Sequence, residues 1–163
     1  MNPALGIPWL VILTLVVALA LSIVPIPDTL APARPEWPLL ALVYWIMAFP
    51  QRIGVLTAFV TGLLLDTLHG QLLGQNAIAL AVMAYIVIQI HPRLRVYPVW
   101  QQAIVVAVLT ALYKLLALWP QGAIGVPPGS AWYWAPVATS ALVWPLIFLL
   151  LRDMRRRWLL HLS

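Results

Sequence analysis

Apolar residues run so densely along this chain that its few polar stretches do the dividing. Six apolar segments stand out: Ile7 to Val24, Trp37 to Phe49, Ile53 to Leu68, Leu72 to Ile90, Val99 to Trp119 and Ala131 to Leu151. The breaks are rich in proline, glycine and polar residues, the strongest local interruptions of a helix. They are Pro25-Ile26-Pro27-Asp28 with the stretch to Glu36, Pro50-Gln51-Arg52, His91 to Pro98, and the uncharged loop Pro120 to Ser130. A membrane-crossing helix needs roughly 20 apolar residues. The pattern predicts an all-α polytopic membrane protein with about six transmembrane helices in one domain covering 1–163. The second segment, residues 37–49, would reach only about 20 Å at the helical rise, against a hydrocarbon core of about 30 Å. It is either a short or tilted span or half of a re-entrant pair. The start lacks the basic residues of a signal peptide. The apolar run also continues past Ala18-Leu19-Ala20 to Val24, so it reads as a retained first span.

Small residues are not scattered evenly. Gly54, Ala58 and Gly62 recur every fourth position and are followed at the same spacing by Asp66, Gly70 and Gly74. Residues four apart share a helix face. The three small ones therefore make a smooth groove, of the kind that lets two helices approach closely in lipid. The groove suits a neighbouring helix of the same chain or a partner's single transmembrane helix.

Composition sharpens the picture. Hydrophobic residues make up 64% and charged residues 8%, against roughly half and a quarter in soluble domains. So few charges cannot cover a water-facing surface. The net charge of +5 does not point to nucleic acid, because Arg152, Arg155, Arg156 and Arg157 cluster after the last span. That cluster, in a basic tail spanning 152–163, reads as a topology anchor on an anionic membrane surface, or as a contact for a cytoplasmic partner. With both termini inside, the inner loops and tail hold Arg52, Arg93, Arg95 and the four tail arginines, and the outer loops only Arg34. This bias runs in the direction that bacterial membrane topology follows and fixes the orientation of the spans.

Two charges fall within apolar spans, Asp66 and Lys114. They lie about 3 Å and about 7 to 8 Å from the same outer ends of their spans. They can pair with each other, which offsets the cost of placing charge near lipid, or each can reach water alone. Candidate chemistry is otherwise sparse. There is no cysteine, His69, His91 and His161 are scattered, and Ser22 and Ser140 have no evident base. No catalytic, cofactor-binding or metal-binding residue is assigned, no cofactor is expected, and an enzyme is not expected.

Three features in this order resemble the bacterial rod-shape-determining MreD family: Pro35-Glu36-Trp37-Pro38 leading into Val43-Tyr44-Trp45, then Gly62-Leu63-Leu64-Leu65-Asp66 with Gly70 and Gly74, and Trp144-Pro145-Leu146-Ile147-Phe148 before the basic tail. The resemblance implies a non-enzymatic scaffold of the cell-elongation machinery in the bacterial inner membrane. It implies work beside MreC, RodA, a penicillin-binding transpeptidase and the actin-like MreB in lateral peptidoglycan synthesis. It also implies a fold similar to the substrate-binding subunits of energy-coupling-factor transporters. That likeness keeps open an alternative, a small-molecule or vitamin binding subunit. Membrane lipid and a second copy of the chain complete the expected partners.

Overall fold

The computed structural model describes residues 3–120 and 131–161, with side chains from residue 7 onward. Most of the expected loop Pro120 to Ser130, from residue 121, lies outside the described residues. Six α-helices are bounded among those described: α1 (Pro3–Ile23), α2 (Trp37–Ala48), α3 (Val55–His69), α4 (Gln75–Val96), α5 (Val99–Ala117) and α6 (Ala135–His161). Short 3-10 turns over Ala31–Ala33 and Ala131–Trp134 lead into α2 and α6. Among the described residues there is no strand.

The short second segment sits at the centre. Every residue of α2 from Pro38 to Met47 is buried, with Leu40, Trp45 and Ile46 at 0% exposure. Pro38 lies in the first turn of the helix, where its fixed φ fits and its missing N–H costs nothing. Phe49 and Pro50 end it. Helix α2 packs on α1, α4 and α6, while α3 lies along α4 and α5 along α6. Its shortness is thus compatible with its place: protein, not lipid, surrounds it.

The outer helices turn apolar rows outward. Ile12, Val16 and Leu13, Val17 on α1, Leu56, Val60 and Leu64 on α3, and Leu142, Leu146 and Leu149 on α6 are all exposed at helical spacing. Such continuous apolar surface suits hydrocarbon and not water. Among the described residues, three helical stretches are long and apolar enough to cross a membrane: Gln75–Val96, Val99–Ala117 and Ala131–His161. Trp9, Trp100, Trp119 and Trp132 are exposed near helix ends, where amphipathic rings favour the membrane interface. The interior aromatics instead tie helices together. Trp45 Nε1 donates to Thr14 Oγ1 at 2.8 Å, and Trp144 Nε1 to Gln102 Oε1 at 3.3 Å.

Two boundaries differ from the sequence pattern. The stretch His91 to Val96, expected as loop, continues α4 despite Pro92. Pro92 cannot bond the Ile88 carbonyl four residues back, and the His91 ring does so instead, its Nδ1 donating to Ile88 O at 2.5 Å. The basic tail is not a separate element either. Helix α6 runs through all four arginines to His161, since arginine is a good helix former and Asp153 pairs with Arg157 one turn on at 2.9 Å.

Candidate functional site

The bundle has two polar ends. One gathers the C-termini of α1, α3 and α5 with the N-termini of α2, α4 and α6; the other is rich in arginine.

At the first end, Asp66 is completely buried, at 0% exposure. Gly70, with φ of 63°, ends α3 in the left-handed conformation, and Gly74, with φ of 98°, precedes α4 in the same region. Glycine carries no Cβ penalty there. This double glycine turn folds the start of α4 back over Asp66. Oδ2 accepts from Gly74 N at 3.0 Å and Ala77 N at 3.3 Å, and Oδ1 from Asn76 N and Asn76 Nδ2, both at 2.9 Å. The carboxylate thus caps the N-terminus of the next helix, where orphan N–H groups and the helix dipole favour negative charge. Asn76 passes the connection on, its Oδ1 accepting from Tyr113 OH on α5 at 2.6 Å.

The small-residue seam serves the same clasp. A Cβ on Gly62 would lie 2.3 Å from Ala77 Cα and 2.8 Å from the Asn76 carbonyl oxygen, so α4 backbone occupies the groove. Ala58 is also fully buried. Gly54 is looser: an added Cβ would meet only Ile88 Cδ1, at 3.8 Å. At Gly62 the groove seats a helix of this chain, α4, which leaves no room there for a partner's helix.

Of the two arrangements open to Asp66 and Lys114, pairing with each other or each reaching water alone, the structure shows neither. All the bonds of Asp66 go to the turn and α4, and Lys114 Nζ lies 3.3 Å from Glu36 Oε1. Lys114 also stands 4.1 Å from the centre of the Tyr133 ring, whose hydroxyl donates to the Lys114 carbonyl at 2.7 Å. Sequence reasoning missed Glu36 because it matched only charges inside apolar spans. Glu36 sits one residue before α2, and the backbone there is held by Glu36 N donating to Ser140 Oγ at 3.0 Å. Glu36, His69, Lys114 and Tyr133 line a cavity of about 340 Å³. Arg34 closes its far side by donating to the carbonyls of Ser22 and Val24, and so caps α1. His69 Nε2 is 3.3 Å from the Ser22 carbonyl, while Ser22 Oγ bonds back to Leu19 O at 2.7 Å. Neither serine is set against a base. The cavity can hold a small polar molecule by hydrogen bonds. Among the described residues no cluster of three or more potential metal ligands occurs.

At the opposite end, Arg95 reaches across from α4 to the last carbonyls of α2, donating from Nε to Met47 O and from Nη2 to Ala48 O at 3.1 Å. Arg155 lies over the Tyr44 ring, 5.8 Å from its centre, and Arg152 lies 5.7 Å from that of Phe148. Arg156 and Arg157 are exposed. A cavity of about 380 Å³ opens between Tyr44, Arg95, Gln102 and Arg155.

The family model for rod shape-determining protein MreD matches residues 5–154. A Haemophilus influenzae rod shape-determining protein MreD is 30% identical over 157 residues, which cover 94% of this chain and 95% of that protein. No solved structure matches the chain. By its description the matched family is a shape-determining one.

Proposed function

We propose a function from one premise: the chain belongs to the rod shape-determining protein MreD family, and its role is in rod shape determination. It is a helical membrane protein. Our reading is that it acts as a non-enzymatic scaffold of the cell-elongation machinery in the bacterial inner membrane, both termini in the cytoplasm. The observation that carries this reading is the filled centre, where the buried α2 leaves the protein to act through its outer surface.

One part of that surface suits a partner helix. Leu13, Val17 and Leu21 of α1 face Ile147, Leu150 and Met154 of α6 across an apolar groove of about 220 Å³. With α4 filling the seam at Gly62, this groove becomes the preferred seat for the transmembrane helix of MreC. RodA, its penicillin-binding transpeptidase, MreB, lipid and a second copy of the chain remain proposed partners. The test is depletion together with co-purification in mild detergent. Loss of rod shape and recovery of MreC, reduced by bulky substitutions at Val17 and Leu150, support the scaffold.

A second reading has an observation of its own. The cavity beside Glu36, His69 and Lys114 suits a small polar ligand, in keeping with the proposed likeness to vitamin-binding subunits of energy-coupling-factor transporters. Recovery of a vitamin without any wall-synthesis protein would favour it and overturn the scaffold.

A further inference from the structure

The arginine end carries a feature that helix packing and partner docking both leave unexplained. Tyr44 is only 2% exposed, yet its hydroxyl is buried without a hydrogen-bond partner. Buried hydroxyls are nearly always paired. The ring cannot swing away, because it is held edge-on by Trp45 at 5.2 Å and by Phe148 at 5.7 Å between centres. The hydroxyl therefore stays in the positive field of Arg155 and Arg152.

The charges around it are unbalanced. Arg52, Arg93, Arg95, Arg152, Arg155, Arg156 and Arg157 lie at this end, against Asp153 alone, and Asp153 is held by Arg157. Arg95 is fixed by its two bonds to the end of α2, which leave Nη1 unused. Gln102 is already committed: its amide donates to Leu94 O at 2.9 Å, and its Oε1 accepts from Trp144. Among the described residues, the donors beside the cavity without a full set of partners are thus Arg95, Arg155 and the buried Tyr44 hydroxyl. Two guanidinium groups and a hydroxyl match the several acceptor oxygens of a phosphate group.

We propose that the cavity between Tyr44, Arg95 and Arg155 binds a phosphate group, as carried by an acidic phospholipid headgroup or by free phosphate. The phosphate oxygens take the place of the missing carboxylates and give the Tyr44 hydroxyl its acceptor.

The test uses the full chain, stripped of lipid in detergent and analysed by native mass spectrometry with phosphatidylglycerol, phosphatidylcholine or inorganic phosphate. Phosphatidylglycerol should bind at least about tenfold more tightly than phosphatidylcholine. Tyr44→Phe should weaken it about tenfold, the usual scale for a hydrogen bond to a charged group, and Arg155→Gln should weaken it at least as much. Arg156→Gln, exposed on the same helix, should change it less than about twofold. Displacement by inorganic phosphate, sensitive to Tyr44→Phe, would identify free phosphate as the occupant of the same site. Tyr44→Phe removes only an unpaired hydroxyl, so it keeps the test decisive even if Arg155→Gln fails to fold. Phosphatidylglycerol binding indifferent to Tyr44→Phe, or weakened equally by Arg156→Gln, would reduce the effect to diffuse surface charge and overturn the proposal. So would absence of binding to either phosphate source.

Discussion

At one end of the bundle, Asp66 has four N–H donors and Lys114 has Glu36. At the other, Arg95 and Arg155 face a cavity with no carboxylate in reach among the described residues. The two ends hold comparable polar material and use it differently. The first end has charges of both signs: Lys114 pairs with Glu36, and N–H groups of the turn and of α4 take Asp66, so its polar groups join helices to one another. The second end has nearly all the arginines, which one aspartate cannot neutralise. Arg95 is exposed and spends two donors on the end of α2, and Arg155 stands half-buried over the Tyr44 ring, so both keep donors that a group from outside can use. The contrast separates a structural end from a receptive one.

The largest effect should come from cutting the clasp. Asp66→Ala strands the backbone N–H groups of Gly74, Asn76 and Ala77, each costing about 1–3 kcal/mol when buried and unpaired. The expected result is loss of folded protein in detergent, read by size-exclusion profile and thermal unfolding. A fully folded Asp66→Ala would mean that water already reaches this end.

Next comes the seam. Gly62→Ala sets a methyl 2.3 Å from α4 backbone, an overpacking that should cost about 1–3 kcal/mol. Gly54→Ala, with only a flexible Ile88 methyl nearby, should stay within about 0.5 kcal/mol. Equal effects at both positions would erase the gradient along the seam.

Smaller again is the ion pair. Glu36→Gln and Lys114→Met should each cost about 1 kcal/mol, and the double variant less than their sum, since neighbours in contact are coupled. Strict additivity in thermal unfolding would show that the pair contributes nothing. The smallest effect belongs to the arginine end: Tyr44→Phe should leave stability in lipid-free detergent unchanged or slightly raised, because no bond is lost. Marked destabilisation there would reveal a hidden partner and dissolve the contrast between the ends.

Most helices were legible as apolar runs, and the order of the breaks was legible as well. The clasp was half legible. The fourfold spacing of Gly54, Ala58, Gly62 and Asp66 marks one helix face, and Gly70 and Gly74 mark the turn after it. The acceptor role of Asp66 was not visible, because its donors are backbone groups, which carry no sequence signature. Glu36 escaped for a related reason. It lies outside the apolar spans, and only the folding of α2 into the centre brings it to Lys114. The continuation of α4 past Pro92 depended on a side chain, His91, taking over one carbonyl.

The chain alone determined that most of it lies in an apolar medium and is helical, because composition and hydrophobic run length act locally, residue by residue. It also determined which end carries the arginines. Tertiary structure alone decided who partners whom: that α2 is wrapped by protein, that α4 fills the glycine groove, that Asp66 caps a helix instead of meeting Lys114, and that Tyr44 is left without an acceptor. Those outcomes depend on which groups lie within about 3 Å of one another across different helices. Spacing along a single helix does not contain that distance.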